Sequence, residues 1–345
     1  MQAFVTGGSG YLGRNLVEAL VARGDAVRAL ARSAPSADAV RSRGATAVDG
    51  DLGDEDAMCE AMRGCDVVYH CAAQVGGGPR DESVWFRVNV GGTDAVIRAA
   101  ERAGVPRLVH VSTEAVLAGG GPLRMVDETQ PYPRRHIRPY GVTKAIAEQH
   151  VVAASSDRLA TVVVRPRFVW GRDDSTLLPR FVEGARRGQL AWFDGGRYRT
   201  STTHVANAAA GLIAAAERGR GGEIYFVTDG EPVVFRDFIT AMLATQDVAA
   251  PTRSVPLPLV RGVASLLAGW ATLTRARNEP LLTPAALALV GHEMTMSDAK
   301  ARRELGYRPV VSVEEGLAEL RARHRGDATL GSPVPQPPRS LRSPR

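Results

Sequence analysis

The sequence predicts an α/β protein, a doubly wound parallel sheet with a smaller C-terminal lobe, and three observations carry that expectation. Gln2 to Thr6 is a short apolar run followed at once by Gly7-Gly-Ser-Gly10-Tyr-Leu-Gly13, which opens a helix running to about Arg23. Apolar runs near 45–49, 66–71, 107–112 and 161–165 read as parallel strands, with helical patterns near 54–63, 83–103 and 140–155 between them. With 345 residues, 44% hydrophobic and 23% charged, the chain has room for one large α/β domain and a second lobe, and its composition is that of a soluble enzyme.

The first turn defines the class of ligand. Glycines at 7, 10 and 13 let the backbone turn tightly, approach a pyrophosphate and pack helix against strand. The amino end of the helix, entered through Tyr11 and Leu12, attracts phosphate charge. This is the Rossmann pattern for a dinucleotide. The second strand then selects which one. A chain built for NAD places an acid about 20 residues past the glycines to bind the ribose 2′-hydroxyl. Here Ala26-Val-Arg-Ala-Leu-Ala-Arg32 ends on Arg32, followed by Ser33, with no carboxylate. A guanidinium suits a 2′-phosphate, so NADP(H) is favoured over NAD(H), with Arg14 as a second candidate contact. The competing reading is that both are ordinary surface residues of an arginine-rich chain.

The arginine richness makes the lysines informative. Of 43 basic residues only Lys144 and Lys300 are lysines, and Lys144 stands four positions after Tyr140 in Arg-Pro-Tyr-Gly-Val-Thr-Lys. On a helix those two side chains share a face. A compact ammonium beside a phenol favours the ionised form and still hydrogen-bonds a nearby hydroxyl, so Tyr140 is expected to have a lowered pKa and to act as an acid or base. A surface lysine beside a buried tyrosine is the bland alternative.

Further stretches, in order, are Gly50-Asp51-Leu52, His70-Cys-Ala-Ala73, Asn89-Val-Gly-Gly-Thr93, Val111-Ser-Thr-Glu-Ala-Val116 and Arg165-Pro-Arg-Phe-Val-Trp-Gly171. With the glycine loop and Tyr140-x-x-x-Lys144 they make the chain, from Met1 to about residue 324, resemble an extended short-chain dehydrogenase/reductase of the NAD-dependent epimerase/dehydratase superfamily. The resemblance implies hydride transfer at a Thr113, Tyr140 and Lys144 site. Tyr140 exchanges the proton, Thr113 hydrogen-bonds the substrate oxygen, and Lys144 holds the nicotinamide ribose. Thr113 takes the hydroxyl role over Ser112 because the family's valine three residues on is Val116. The resemblance also puts Asp51 and Leu52 at the adenine, Ala72 and Ala73 along the dinucleotide, Pro166 near the nicotinamide and Asn89 on the proton path. Taken singly, Thr113 could instead cap a strand end and Asn89 the helix that follows.

Nucleotide-sugar members carry an acid where this chain has Ala206, in Arg199-Thr-Ser-Thr-Thr-His-Val-Ala-Asn207. The His-Val-x-Asn pattern and the late Asp298 to Tyr307 segment resemble the 3β-hydroxysteroid dehydrogenase-like branch and its relatives that reduce long-chain β-keto acids. The implied partner is a small hydrophobic ketone or alcohol. Between Pro258 and Arg275 a stripe of Val263, Leu266, Leu267, Trp270 and Leu273 agrees with that. A dozen apolar residues are too few for a bilayer, which takes about 20. The stripe reads as the roof of an apolar pocket, as a peripheral membrane contact through 258–275, or as an ordinary core helix.

The boundaries expected are an NADP-binding Rossmann core over 1–167, completed near 205–228, a substrate-binding lobe mainly from 168–324, and a disordered basic Pro-rich tail over 325–345. That tail explains the net charge of +6, since six arginines from Arg321 onward against Asp327 supply +5. The basicity therefore does not call for nucleic acid. Cys59, Cys65 and Cys71 are an odd number without metal spacing, so no metal is expected, and they read as small buried or half-buried residues of a reducing compartment. No signal peptide precedes the first strand, so the expected location is cytoplasmic, with membrane association only through 258–275. A homodimer is compatible with the class. The reading is thus an NADP(H)-dependent oxidoreductase, with two rivals: a nucleotide-sugar epimerase or dehydratase using the same triad, and a non-catalytic NADP-sensing protein, which would not need Thr113, Tyr140 and Lys144.

Overall fold

Every strand of the main sheet is apolar on both sides, and that dictates a layer of helices on each face. The computed structural model describes residues 1–75, 82–136, 139–260, 262 and 290–326. The sheet comprises β1 (Gln2–Thr6), β2 (Ala26–Ala31), β3 (Thr46–Asp49), β4 (Val67–His70), β5 (Arg107–Val111), β6 (Ala160–Pro166) and β7 (Glu223–Val227). All pairs are parallel, in the order β7-β6-β5-β4-β1-β2-β3. The chain winds outward from β1 to β3, then restarts at β4 on the other side of β1. That reversal opens a crevice at the carboxyl ends of β1 and β4, where doubly wound sheets bind their ligands.

The period of two along each strand sends neighbouring side chains to opposite layers. Val5 joins Leu16, Leu20, Leu212 and Ile213, from α1 (Tyr11–Ala22) and α6 (Val205–Arg218), whereas Phe4 joins Met58, Val96 and Val151 on the other face. Those come from α3 (Glu55–Met62), α4 (Gly92–Ala103) and α5 (Pro139–Ala153). The helix between β2 and β3, α2 (Ala34–Arg41), is capped by Ser33, whose hydroxyl accepts from Ser36 N at 3.4 Å, and α3 by Asp54, which accepts from Ala57 N at 3.1 Å.

The segment expected as one helix over 83–103 is in three pieces: a short helix Glu82–Trp85, a π-helical turn Phe86–Gly91, and α4. The wide turn holds Asn89 inward, 1% exposed, and such turns recur at functional sites.

The second lobe packs around aromatic residues, with Trp170 edge-on to Phe238 at 5.0 Å and Phe168 edge-on to Phe235 at 6.3 Å. Its four-stranded sheet pairs Val233–Val234, Arg199–Thr200, Met294–Met296 and Leu123–Val126, the last arriving from between β5 and α5. Half-buried Asp229 fastens the lobe to the core. It accepts from Trp170 Nε1 at 2.7 Å, Thr202 Oγ1 at 2.7 Å, His204 N at 2.5 Å and Asn207 Nδ2 at 2.7 Å. Asn207 Oδ1 in turn accepts from Val310 N and Val311 N, at 2.7 and 2.9 Å. The His-Val-x-Asn pattern is therefore a clamp on the late chain, which ends in Val313–Arg325 behind a Ser312/Glu315 capping box. Residues 263–275 of the apolar stripe, and the tail from 327, lie outside the described residues. No helix among the described residues is long and apolar enough to cross a membrane.

Candidate active site

The glycine loop admits no side chain at its first and last glycines. A Cβ on Gly13 would lie 2.0 Å from the Gly7 carbonyl oxygen, and one on Gly7, at φ +70°, would lie 2.6 Å from Ala72 N. The loop is thereby pressed against the end of β4, and the first turn of α1, with Tyr11 and Leu12, starts at the crevice with its amide donors uncommitted to the helix. A cavity of about 670 Å³ opens there, lined by Gly7, Gly10, Arg32, Asp51, Leu52, Ala72 and Ala73 together with Cys71, Gln74, Arg87 and Arg98. Its size, close backbone approach and helix amino terminus fit a dinucleotide.

A second hollow of about 430 Å³ continues past Arg32 and Ser33, and its floor includes Asp49, Asp51 and Asp54. The three carboxylates were not part of the sequence argument for Arg32, because Asp49 ends β3 and Asp54 caps α3, and only the parallel β2–β3 pairing brings them beside the end of β2. Arg14 is not there. Its guanidinium donates to the Asp173 carbonyl on the lobe side, so the expectation that it is a second 2′-phosphate contact is corrected.

Tyr140 and Lys144 lie one turn apart near the start of α5, as i,i+4 spacing requires. Lys144 is 2% exposed, and its Nζ donates to Val111 O at 2.8 Å and meets His110 Nε2 at 2.9 Å. Burial pulls its pKa down to about 8. His110 is held well below its ordinary pKa by burial and by the Lys144 charge, so its neutral ring accepts a hydrogen bond from the ammonium. The Tyr140 ring stands edge-on to Trp85 at 6.1 Å. Its phenol is pushed above the usual range by burial and then by the Glu114 charge, while a hydrogen bond with Thr113 works against the rise. The lowered phenol pKa expected from Lys144 is not found: the ammonium bonds His110 and Val111, and the charge that acts on the phenol is the Glu114 carboxylate.

Thr113 follows β5 and caps the short helix Glu114–Leu117, accepting from Ala115 N at 3.2 Å. Its Oγ1 also donates to Glu114 Oε2 at 2.7 Å, so the capping reading of Thr113 holds. Ser112 is 3% exposed, and its hydroxyl has no hydrogen-bond partner among the described residues. Asn89 does not cap the next helix. Its Oδ1 accepts from Gln74 N at 2.7 Å and its Nδ2 donates to Thr143 Oγ1 at 3.0 Å, which ties the cavity wall to the helix carrying Tyr140 and Lys144. Pro166 ends β6 beside Val227 of β7. Cys59 and Cys65 are buried and free. Cys71 is half-buried and free on the cavity wall, its thiol pushed up to about 12 by burial.

A glycine-loop crevice with a tyrosine, a lysine and a hydroxyl gathered at the adjoining strand ends defines a nicotinamide-dependent oxidoreductase of the extended short-chain type. Comparison with known proteins narrows this. Residues 4–259 match the 3-beta hydroxysteroid dehydrogenase/isomerase family, and the chain belongs to that family. It is a dehydrogenase/reductase acting on CH–OH and keto groups. It is 49% identical over 322 residues to the 4-hydroxy-2-methyl-3-oxo-4-farnesyl-3,4-dihydroquinoline-1-oxide ketoreductase of Stigmatella aurantiaca, covering 93% of this chain and 96% of the relative. It is 36% identical to the 2-alkyl-3-oxoalkanoate reductase of Stenotrophomonas maltophilia, covering 93% and 99%. Among solved structures it resembles gox2253 at a TM-score of 0.75 and 28% identity, covering 94% and 98%. It shares its fold with the UDP-glucose 4-epimerase of Thermotoga maritima, at 0.74 and 21% identity, covering 94% and 99%.

Proposed function

We propose that the chain is an NADPH-dependent ketoreductase converting a ketone to a secondary alcohol on a molecule with a long apolar portion. The observation that carries this is the convergence of Thr113, Tyr140 and Lys144 at the end of β5, joined through Asn89 and Gln74 to the wall of the dinucleotide-sized cavity. In this reading the loop from Gly7 to Gly13 holds the pyrophosphate, Asp51 and Leu52 flank the adenine, Ala72 and Ala73 follow the dinucleotide, Pro166 borders the nicotinamide, and Arg32 with Ser33 takes a 2′-phosphate. The bound cofactor supplies a hydride. Tyr140 would supply the proton to the substrate oxygen, Thr113 would orient that oxygen, and Lys144 would hold the nicotinamide ribose. Asn89 keeps Gln74 and Thr143 in place rather than touching the reacting atoms.

The substrate class rests on the named activities of the relatives, a farnesylated ring ketone and 2-alkyl-3-oxoalkanoates. Ala206, in place of the acid of nucleotide-sugar members, points the same way. The apolar stripe of 258–275, most of it outside the described residues, agrees with such a substrate in composition, and the protein is proposed to work in the cytoplasm. The test is NADPH oxidation against a farnesylated dihydroquinoline-oxide ketone, a 2-alkyl-3-oxoalkanoate, a 3-ketosteroid and a UDP-sugar. Turnover of one or more of the apolar ketones with none of the UDP-sugar is expected; turnover of the UDP-sugar alone, or of none, refutes the proposal.

A further inference from the structure

Lys144 is anchored on β5 by acceptors from two consecutive residues. Its Nζ donates to Val111 O at 2.8 Å and lies 2.9 Å from His110 Nε2. An ammonium has three protons and no lone pair, so it can only donate to that ring nitrogen. The His110 ring is then neutral, with its own proton on Nδ1. His110 is fully buried, and its Nδ1 has no hydrogen-bond partner among the described residues. The neighbouring His70 ring, 5.0 Å away between centroids, cannot serve it, because both its nitrogens are taken. Nδ1 of His70 is 2.7 Å from Thr6 Oγ1, and its Nε2 is 2.9 Å from Thr93 Oγ1. Thr93 gives its single proton to Asn89 O at 2.6 Å, so it accepts from His70 Nε2, and Thr6 donates to His70 Nδ1. A buried N–H without an acceptor is costly. The tautomer that leaves His110 Nδ1 in that condition is the one that turns an acceptor to Lys144.

We propose that His110 is a positioning residue for the reaction: its neutral Nε2 and the Val111 carbonyl take two of the three Lys144 ammonium protons and leave the third for a hydroxyl of the nicotinamide ribose. The inference rests on the role of Lys144 given above and adds the group that orients its ammonium. The titratable and charged groups around Lys144 are His110 from β5, His70 and Cys71 from the end of β4, and Tyr140 and Glu148 along α5, with Arg165 of β6 bound to Glu148. Burial opposes the ammonium and the Glu148 charge favours it, so the two β5 acceptors help to keep it charged in a buried place.

The experiment uses the chain's two lysines. Lys300 is bound to Glu223 Oε2 at 2.6 Å, away from β5, so nitrogen NMR of lysine-labelled protein reads Lys144 against a single internal reference. In histidine-labelled unmodified protein, His110 should carry its proton on Nδ1 at neutral pH. His110→Leu removes the acceptor. It should move the Lys144 titration midpoint down from about 8 by about one pH unit, since a hydrogen bond to the charged form raises a lysine pKa. His110→Gln returns an acceptor and should restore the midpoint, with Lys300 unmoved in both variants. A His110 proton on Nε2 in the unmodified protein, an unmoved Lys144 midpoint in His110→Leu, or an equal fall in His110→Gln overturns the proposal. The first of these needs no variant to fold. Lys144→Met, titrated with NADPH, separates the two levels: undiminished affinity and turnover there mean that the role of Lys144 itself has failed. The tautomer and the midpoint are read without cofactor and test His110 alone.

Discussion

Arg32→Ala is the sharpest test of cofactor choice, because the structure sets two opposing charges in one hollow. Arg32 lies at the end of β2, exposed, and shares the cavity with Asp49, Asp51 and Asp54. A 2′-phosphate placed there meets one guanidinium and three acidic neighbours, so the guanidinium decides the sign. A charge-assisted hydrogen bond contributes about 1.5–3 kcal/mol, and exposure to solvent puts Arg32 at the low end of that range. At about 1.4 kcal/mol per decade, the NADPH dissociation constant should rise about tenfold. NADH lacks the phosphate, so its affinity should stay within about twofold by the same argument. Fluorescence titration of both cofactors against both proteins measures the four constants. The acids also make a converse expectation: Asp49→Asn should tighten NADPH and leave NADH unchanged. Equal affinity of the unmodified protein for NADPH and NADH, or a loss in Arg32→Ala that is the same for both cofactors, refutes the reasoning.

Tyr140→Phe removes one hydroxyl, so NADPH binding should persist while turnover falls at least about a hundredfold, measured by single-turnover reduction. Lys144→Met should weaken both turnover and NADPH affinity in the same assay. The neutral buried histidines make the fold acid-sensitive: with their pKa values lowered to about 3 for His70 and about 4 for His204, the unfolded chain binds protons that the native one refuses. Stability is therefore full above pH ~6.5 and falls as the pH drops toward 4, by about 2 kcal/mol for each such histidine at pH 5. Denaturant melts at pH 7 and pH 5 check this, and a midpoint that does not move contradicts it. Leu267→Asp, on the apolar stripe, should raise KM for long-chain ketones more than for short ones; an unchanged chain-length preference in a folded, active variant removes 258–275 from the substrate argument.

What could be read from the sequence was local chemistry. The glycine loop is seven consecutive residues with its strand before and its helix after, and Tyr140 and Lys144 meet because a helix brings i and i+4 together. The polar core beneath them was not legible, since its partners are far apart in the chain. Glu114 and Arg167 are 53 residues apart, and His110 and Lys144 are 34 apart. Each pair forms only because β5 and β6 are neighbours in the sheet and α5 packs against it.

Composition hid the same network. In a chain that uses arginine for nearly all its positive charge, Arg165 and Arg167 look like the solvated residues around them, yet they are 1% and 2% exposed. Arg165 pairs with Glu148 on α5 and lies over the Tyr132 and Phe226 rings, at 5.8 and 5.4 Å. The two arginines flank Pro166 and, two positions apart, share one face of the strand end, where one guanidinium reaches the helix that carries Tyr140 and the other the carboxylate beside Thr113. A pattern of arginine, proline and arginine at a strand end therefore brackets the site with two buried cations. Each is neutralised by a glutamate, and a buried pair of this kind is costly to break by one partner alone. The arrangement makes the position of the Tyr140 and Thr113 hydroxyls depend on β6 as much as on the residues that bear them. Substitutions at Glu148 should accordingly lower turnover as far as they loosen α5, read as a loss of kcat that tracks the loss of thermal stability.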